Sequence, residues 1–198
     1  MTKQIKQYIN LSIDVKKKIL EDKEIISNIN DLSNKCLEAL KKGGKIIFAG
    51  NGGSFGDTQH ISAEFTSKFL FDREPLASIA LATNNSAITA IGNDFGYDVL
   101  FQRMTDTLGK SGDVLLGITT SGNSKNVNLA FKAAKNKNIT TFGFLGSNGG
   151  DSIKLCDEFF LVPSHETARI QECHITAGHI LMEIIENNLL ESDHIKLK

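Results

Sequence analysis

The sequence predicts an α/β domain: a five-stranded parallel sheet in an α-β-α sandwich, preceded by N-terminal helices over residues 1–42 and closed by a long C-terminal helix. Three observations carry this. Five short β-prone runs follow Gly43-Gly44, helix-length or loop segments separate them, and the runs are apolar on both faces rather than alternating. Strands of that kind lie buried between two helical layers, the mark of a parallel sheet. A chain of 198 residues with 40% apolar content can close one core, so residues 1–198 read as a single domain, with 43–198 as its α/β part.

In chain order, Ile5, Tyr8, Ile9, Ser12 and Ile13, then Ile25, Ile29, Leu32, Cys36, Leu37 and Leu40, recur at three- and four-residue steps and predict two amphipathic helices. The break falls near Glu21-Asp22-Lys23, which interrupts the stripe and offers the second helix an N-cap. The first stripe either packs on its own core or joins another subunit. Strands are expected at 45–50, 76–81, 113–118, 139–145 and 158–162, and the closing helix at 166–190.

Twenty-two Lys and Arg against 23 Asp and Glu leave no basic field to hold nucleic acid or an anionic membrane. A small-molecule ligand or a protein partner fits better. Cys36, Cys156 and Cys173 are widely spaced and form no C-x-x-C pair, which favours structural free thiols over disulfides or a zinc knuckle. The N-terminal residues lack the pattern of a secretion signal, and no apolar stretch approaches the roughly 20 residues that cross a bilayer. A cytoplasmic protein is the expectation.

Ligands of open parallel sheets bind beyond the C-terminal strand ends. Two strand-to-helix junctions there are rich in Gly, Ser and Thr: Asn51-Gly52-Gly53-Ser54, and Thr119-Thr120-Ser121-Gly122-Asn123-Ser124. Glycine lets backbone approach a ligand, and free N–H groups at a helix start point at negative charge. The hydroxyls of Thr119, Thr120, Ser121 and Ser124 could satisfy a phosphate monoester without Arg or Lys. The plainer alternative is a tight βα turn with a capping Ser. Neither turn has G-x-G-x-x-G or G-x-x-x-x-G-K-[ST] spacing, so no nucleotide cofactor is expected. Downstream, the four-residue step from His60 to Glu64 puts imidazole and carboxylate on one helix face. On the closing helix, Gln171, Glu172, His174, His179 and Glu183 are polar residues among Ile and Leu.

These residues, with Asp57, Gln59, Ala63, Gly92-Asn93-Asp94-Phe95-Gly96 and Arg169-Ile170-Gln171-Glu172, resemble the phosphoheptose isomerases, members of the sugar-isomerase (SIS) domain superfamily with a Rossmann-like fold. The match runs in order along nearly the whole chain. The resemblance implies conversion of sedoheptulose 7-phosphate to D-glycero-D-manno-heptose 7-phosphate, a step toward activated heptose for lipopolysaccharide or capsule. It implies a homotetramer with active sites at subunit interfaces. It places substrate contacts on Gly52, Gly53, Ser54, Glu64, Asn93, Asp94, Thr119, Thr120, Ser121, Ser124 and Gln171. A divalent metal, usually zinc and one per subunit, would fall on His60, Glu64, Gln171 and His179. Two positions depart from the family pattern: Thr119 stands where many relatives have Ser, and Ala168 where many carry Asp.

Ketose-aldose interconversion needs a base beside the carbonyl and an acid or metal for the enediol oxygen. Glu64 is the expected base and His179 the expected acid. One spacing resists the metal set: Gln171 and His179 are eight residues apart, about 12 Å of rise and about 80° of rotation on a regular helix. Either Gln171 sits at a bent or terminal turn or different subunits complete the site, and His174 is the rival ligand on spacing. Two other classes share the fold: a non-catalytic regulator that binds a replication initiator, and an isomerase or lyase of amino-sugar phosphates.

Overall fold

A computed structural model describes residues 1–197. Two helices come first, α1 (Thr2–Glu21) and α2 (Lys23–Lys41), and Asp22 separates them as expected, its carboxylate accepting from the backbone N–H of Glu24 and Ile25 at 3.0 and 3.1 Å. The α2 stripe is buried from Ile25 to Leu40, whereas α1 buries only Val15. Ile5, Tyr8, Ile9 and Ile13 stay exposed, so the first stripe does not pack on its own core.

The α/β part runs β1 (Ile46–Gly50), α3 (Gly53–Thr66), β2 (Ser78–Ala80), α4 (Asn85–Phe95), a 3₁₀ turn at Tyr97–Val99, α5 (Leu100–Leu108), β3 (Val114–Thr119), α6 (Lys125–Asn136), β4 (Thr140–Gly146), β5 (Glu158–Val162) and α7 (Thr167–Glu191). All five predicted strands form, in one parallel sheet of order β2-β1-β3-β4-β5. Only β1 and β3 are buried along their whole length. The edge strands β2 and β5 are half covered, and β2 shrinks to three residues because Leu76 turns away into the core, its N–H donating to Phe65 O.

Alternation along the strands splits the core into two layers. Ile46, Phe48, Leu116, Phe142 and Phe144 face α2, α3 and α7. Ile47, Ala49, Leu115 and Leu145 face α5 and α6 with Phe101 and Phe131. The three cysteines are buried and free; burial pushes the Cys156 thiol up to about 11. Among the described residues no helix is long and apolar enough to cross a membrane. The chain steps from β1 to β2 on one side and returns to β3 on the other, so strand order reverses between β1 and β3. Crevices at such reversals are where open α/β sheets bind ligands.

Candidate functional site

Both predicted turns flank that reversal, since Gly50 at the end of β1 is in register with Ile118 near the end of β3. A reciprocal amide pair ties them together. Asn51 Nδ2 donates to Asn126 Oδ1 at 2.8 Å, Asn126 Nδ2 donates to Asn51 Oδ1 at 2.9 Å, and the Tyr97 hydroxyl donates to Asn51 Oδ1 at 2.9 Å.

The turn after β3 is braced on all sides. Thr119 Oγ1 and Ser124 Oγ lie 2.9 Å apart, and Ser121 Oγ accepts from Asn123 N. Gly122 is buried at φ +68°, and its carbonyl accepts from the backbone and hydroxyl of the buried Ser152 at 2.9 and 2.8 Å. Ser124 precedes α6 without capping it, so its hydroxyl faces Thr119 rather than the helix. Thr120, Ser121 and Ser124 retain exposure above the strand ends. The result is a cup of hydroxyls at a helix N-terminus, suited to an anion.

On the other side of the crevice, α3 and α7 run side by side in close contact. A Cβ on Gly178 would lie 2.5 Å from Ile61 Cδ1, and one on Gly53 would lie 2.6 Å from Gln171 Nε2. That approach brings His60 and Glu64 of α3 against His179 of α7. The two Nε2 atoms lie 3.0 Å apart, His60 Nε2 is 3.4 Å from Glu64 Oε1, and all three ligating atoms fall within 4.8 Å of one another. The Phe69 ring stacks on His179 with centroids 5.8 Å apart. Nitrogen and oxygen ligands of tetrahedral zinc, at about 2.0–2.2 Å from the ion, stand about 3.3–3.5 Å from each other, so this donor set fits such a metal. Asp57, one turn before His60, has its carboxyl raised by burial, opposed by His60.

Gln171 does not join this group. Its amide lies over Gly53 at the head of α3, while His179 sits two turns further along the unbroken helix α7. The spacing that resisted the four-ligand set is thus real within one chain. His174 is no ligand either. It is fully buried between the Phe144 and Phe160 rings with Nε2 3.1 Å from Leu145 O, and burial lowers its pKa to about 4. Glu172 pairs with Arg169 at 2.6 Å. Asn93 and Asp94 stand exposed on the last turn of α4, where Asn93 Nδ2 donates to Asp94 Oδ1 at 2.8 Å. Asn126, Tyr97 and Phe69 escaped the sequence reading. Asn126 lay two residues past the last predicted phosphate hydroxyl, and only the fold shows that it reaches Asn51.

A SIS domain family model matches residues 7–146. A phosphoheptose isomerase of Clostridium acetobutylicum is 50% identical over 185 residues, 93% of this chain and 94% of that one. One from Aneurinibacillus thermoaerophilus is 46% identical over the full length of both chains. Among solved structures, a phosphoheptose isomerase from Neisseria gonorrhoeae superposes with a TM-score of 0.88 at 37% identity, covering 94% of this chain and 98% of that one.

Proposed function

The chain belongs to the SIS domain family and, within it, to the phosphoheptose isomerases, and from that premise we propose that it interconverts sedoheptulose 7-phosphate and D-glycero-D-manno-heptose 7-phosphate in the cytoplasm, supplying a route to activated heptose. The observation that carries the reading is the convergence of His60, Glu64 and His179 from α3 and α7 in a chain that also presents a hydroxyl-lined turn at the switch point of its sheet. A regulator that only binds a protein partner has no need of that donor set.

The roles follow from position. Thr119, Thr120, Ser121 and Ser124 grip the phosphate, while Gly52, Gly53, Ser54 and Gln171 hold the sugar at the head of α3, with Asn93 and Asp94 as further contacts. Holding both ends removes much of the entropic part of the barrier once the reacting carbons meet Glu64. Glu64 takes the proton from the carbon beside the carbonyl and returns it to the neighbouring carbon. His179 moves protons between the two oxygens, held in orientation by the Phe69 ring. A divalent ion such as zinc, bound by His60, Glu64 and His179, would supply Lewis-acid stabilisation of the enediol oxygens, and because ligation lowers the basicity of Glu64 and occupies a His179 nitrogen it would compete with their proton-transfer roles. Gln171 could complete that ligand set only from another copy of the chain, which agrees with a homotetramer whose interfaces cover the exposed stripe of α1.

The test is incubation of the purified protein with sedoheptulose 7-phosphate, with and without chelator. An aldose phosphate product is expected, and absence of turnover by the metal-supplemented wild type overturns the reading.

A further inference from the structure

Away from the reacting groups, the interior between α3 and α7 holds an ion pair, Arg73 Nε to Glu186 Oε1 at 2.7 Å, with both side chains fully buried. Burying two charges is costly unless nearly every donor and acceptor is met, and here they are met by backbone near the site. Arg73 Nη2 donates to Glu64 O at 2.9 Å, and Nη1 reaches Phe65 O and Glu74 O at 3.0 Å and Ser67 O at 3.3 Å. The last turn of an α-helix has no partners of its own for its carbonyls. One guanidinium therefore closes the end of α3 at the residue that carries the Glu64 carboxylate. The other side of the pair belongs to α7: Glu186 lies seven residues after His179, about two turns along the same helix face. Its Oε2 accepts from Leu70 N at 2.8 Å, which fastens the segment carrying Phe69, whose ring stacks on His179.

We propose that Arg73 and Glu186 are positioning residues that set the spacing of His60, Glu64 and His179, by clamping the end of α3 to α7 and pressing Phe69 against the His179 ring. The proposal rests on the reading of those three residues as a metal-binding group. Groups that orient metal ligands from behind typically change metal affinity by about 10–100-fold when altered, whereas a pair serving stability alone would shift the melting temperature and leave the affinity of the folded protein unchanged.

The experiment is titration of metal-free protein with Co²⁺, followed by its visible absorption, alongside circular dichroism and thermal melts. The variants are Arg73→Lys, which keeps the charge but loses the fork onto the carbonyls, and Glu186→Gln, which keeps the shape but loses one acceptor. Phe69→Leu removes only the ring and leaves the buried pair intact. Arg73→Lys and Glu186→Gln, where folded, are expected to bind Co²⁺ about 10–100-fold more weakly, and Phe69→Leu more weakly by a smaller factor. Wild-type affinity in a folded Arg73→Lys or Glu186→Gln protein overturns the clamp; where neither folds, wild-type affinity in Phe69→Leu does so. A wild type that binds no Co²⁺ overturns the metal reading and the clamp together, so the two failures are told apart.

Discussion

The two halves of the crevice are built differently. On the β3 side the turn is finished within the chain: Gly122 is wedged against the loop at Gly149-Gly150, and Ser152 and Asn128 satisfy its surroundings. On the α3 side, Gly52 at φ +58° has open space where a Cβ would stand, His60 is exposed, and Gln171 is parted from the ligands it was expected to join. The difference teaches a division of labour. On the proposed function, the phosphate common to all sugar phosphates meets the rigid, preformed cup, whereas the reacting end admits substrate, a metal and a second chain.

The comparison breaks first at Glu64. If the α3 side does the chemistry and the β3 side the gripping, Glu64→Gln should lower kcat by about 10²–10⁴ while KM changes only a fewfold. Steady-state kinetics on sedoheptulose 7-phosphate checks this; an unchanged kcat would remove Glu64 as the base.

Next in size is the contrast between two glycines. Gly122→Ala combines a left-handed backbone with collision against the Gly149 carbonyl and should cost about 2–5 kcal/mol. Gly52→Ala meets only the backbone strain and should cost about 1–3 kcal/mol. Denaturant melts of the two proteins rank them, and the reverse order would mean that the β3 turn is the looser half.

The α7 side also carries a pH dependence. Burial lowers His174 from 6.5 to about 4, so the unfolded chain takes up the proton first as pH falls. The stability contributed by neutral His174 is therefore complete above about pH 6.5 and is lost toward pH 4, about 3 kcal/mol in all. Melts of the wild type and His174→Gln across that window should show the slope in the first and a flatter one in the second. Smallest is Ser124→Ala, which removes one hydroxyl of the proposed phosphate cup and the partner of Thr119 and should raise KM about tenfold with kcat nearly kept, by the loss of one hydrogen bond to a charged group.

Some of this was legible from residues alone. The five strands came from runs apolar on both faces, and Asp22 from a charged break in an apolar stripe, because burial and capping are local demands that the sequence must meet wherever the chain goes. His60 and Glu64 were paired correctly because four residues on a helix is a fixed distance. His179 was added by resemblance, since nothing local brings residues 119 apart in sequence together.

What the sequence by itself determined is thus the class of fold, the two Gly-, Ser- and Thr-rich turns at strand ends and the His60–Glu64 pair. Only the tertiary structure decided that β1 and β3 adjoin with their turns joined through Asn51 and Asn126, that His174 is a core residue and Gln171 lies off the ligand group, and that Arg73 finds Glu186. The physical reason is range: periodicity and helix spacing reach a few residues, whereas these contacts depend on how α3 and α7 pack across one face of the sheet, which no short window of residues encodes.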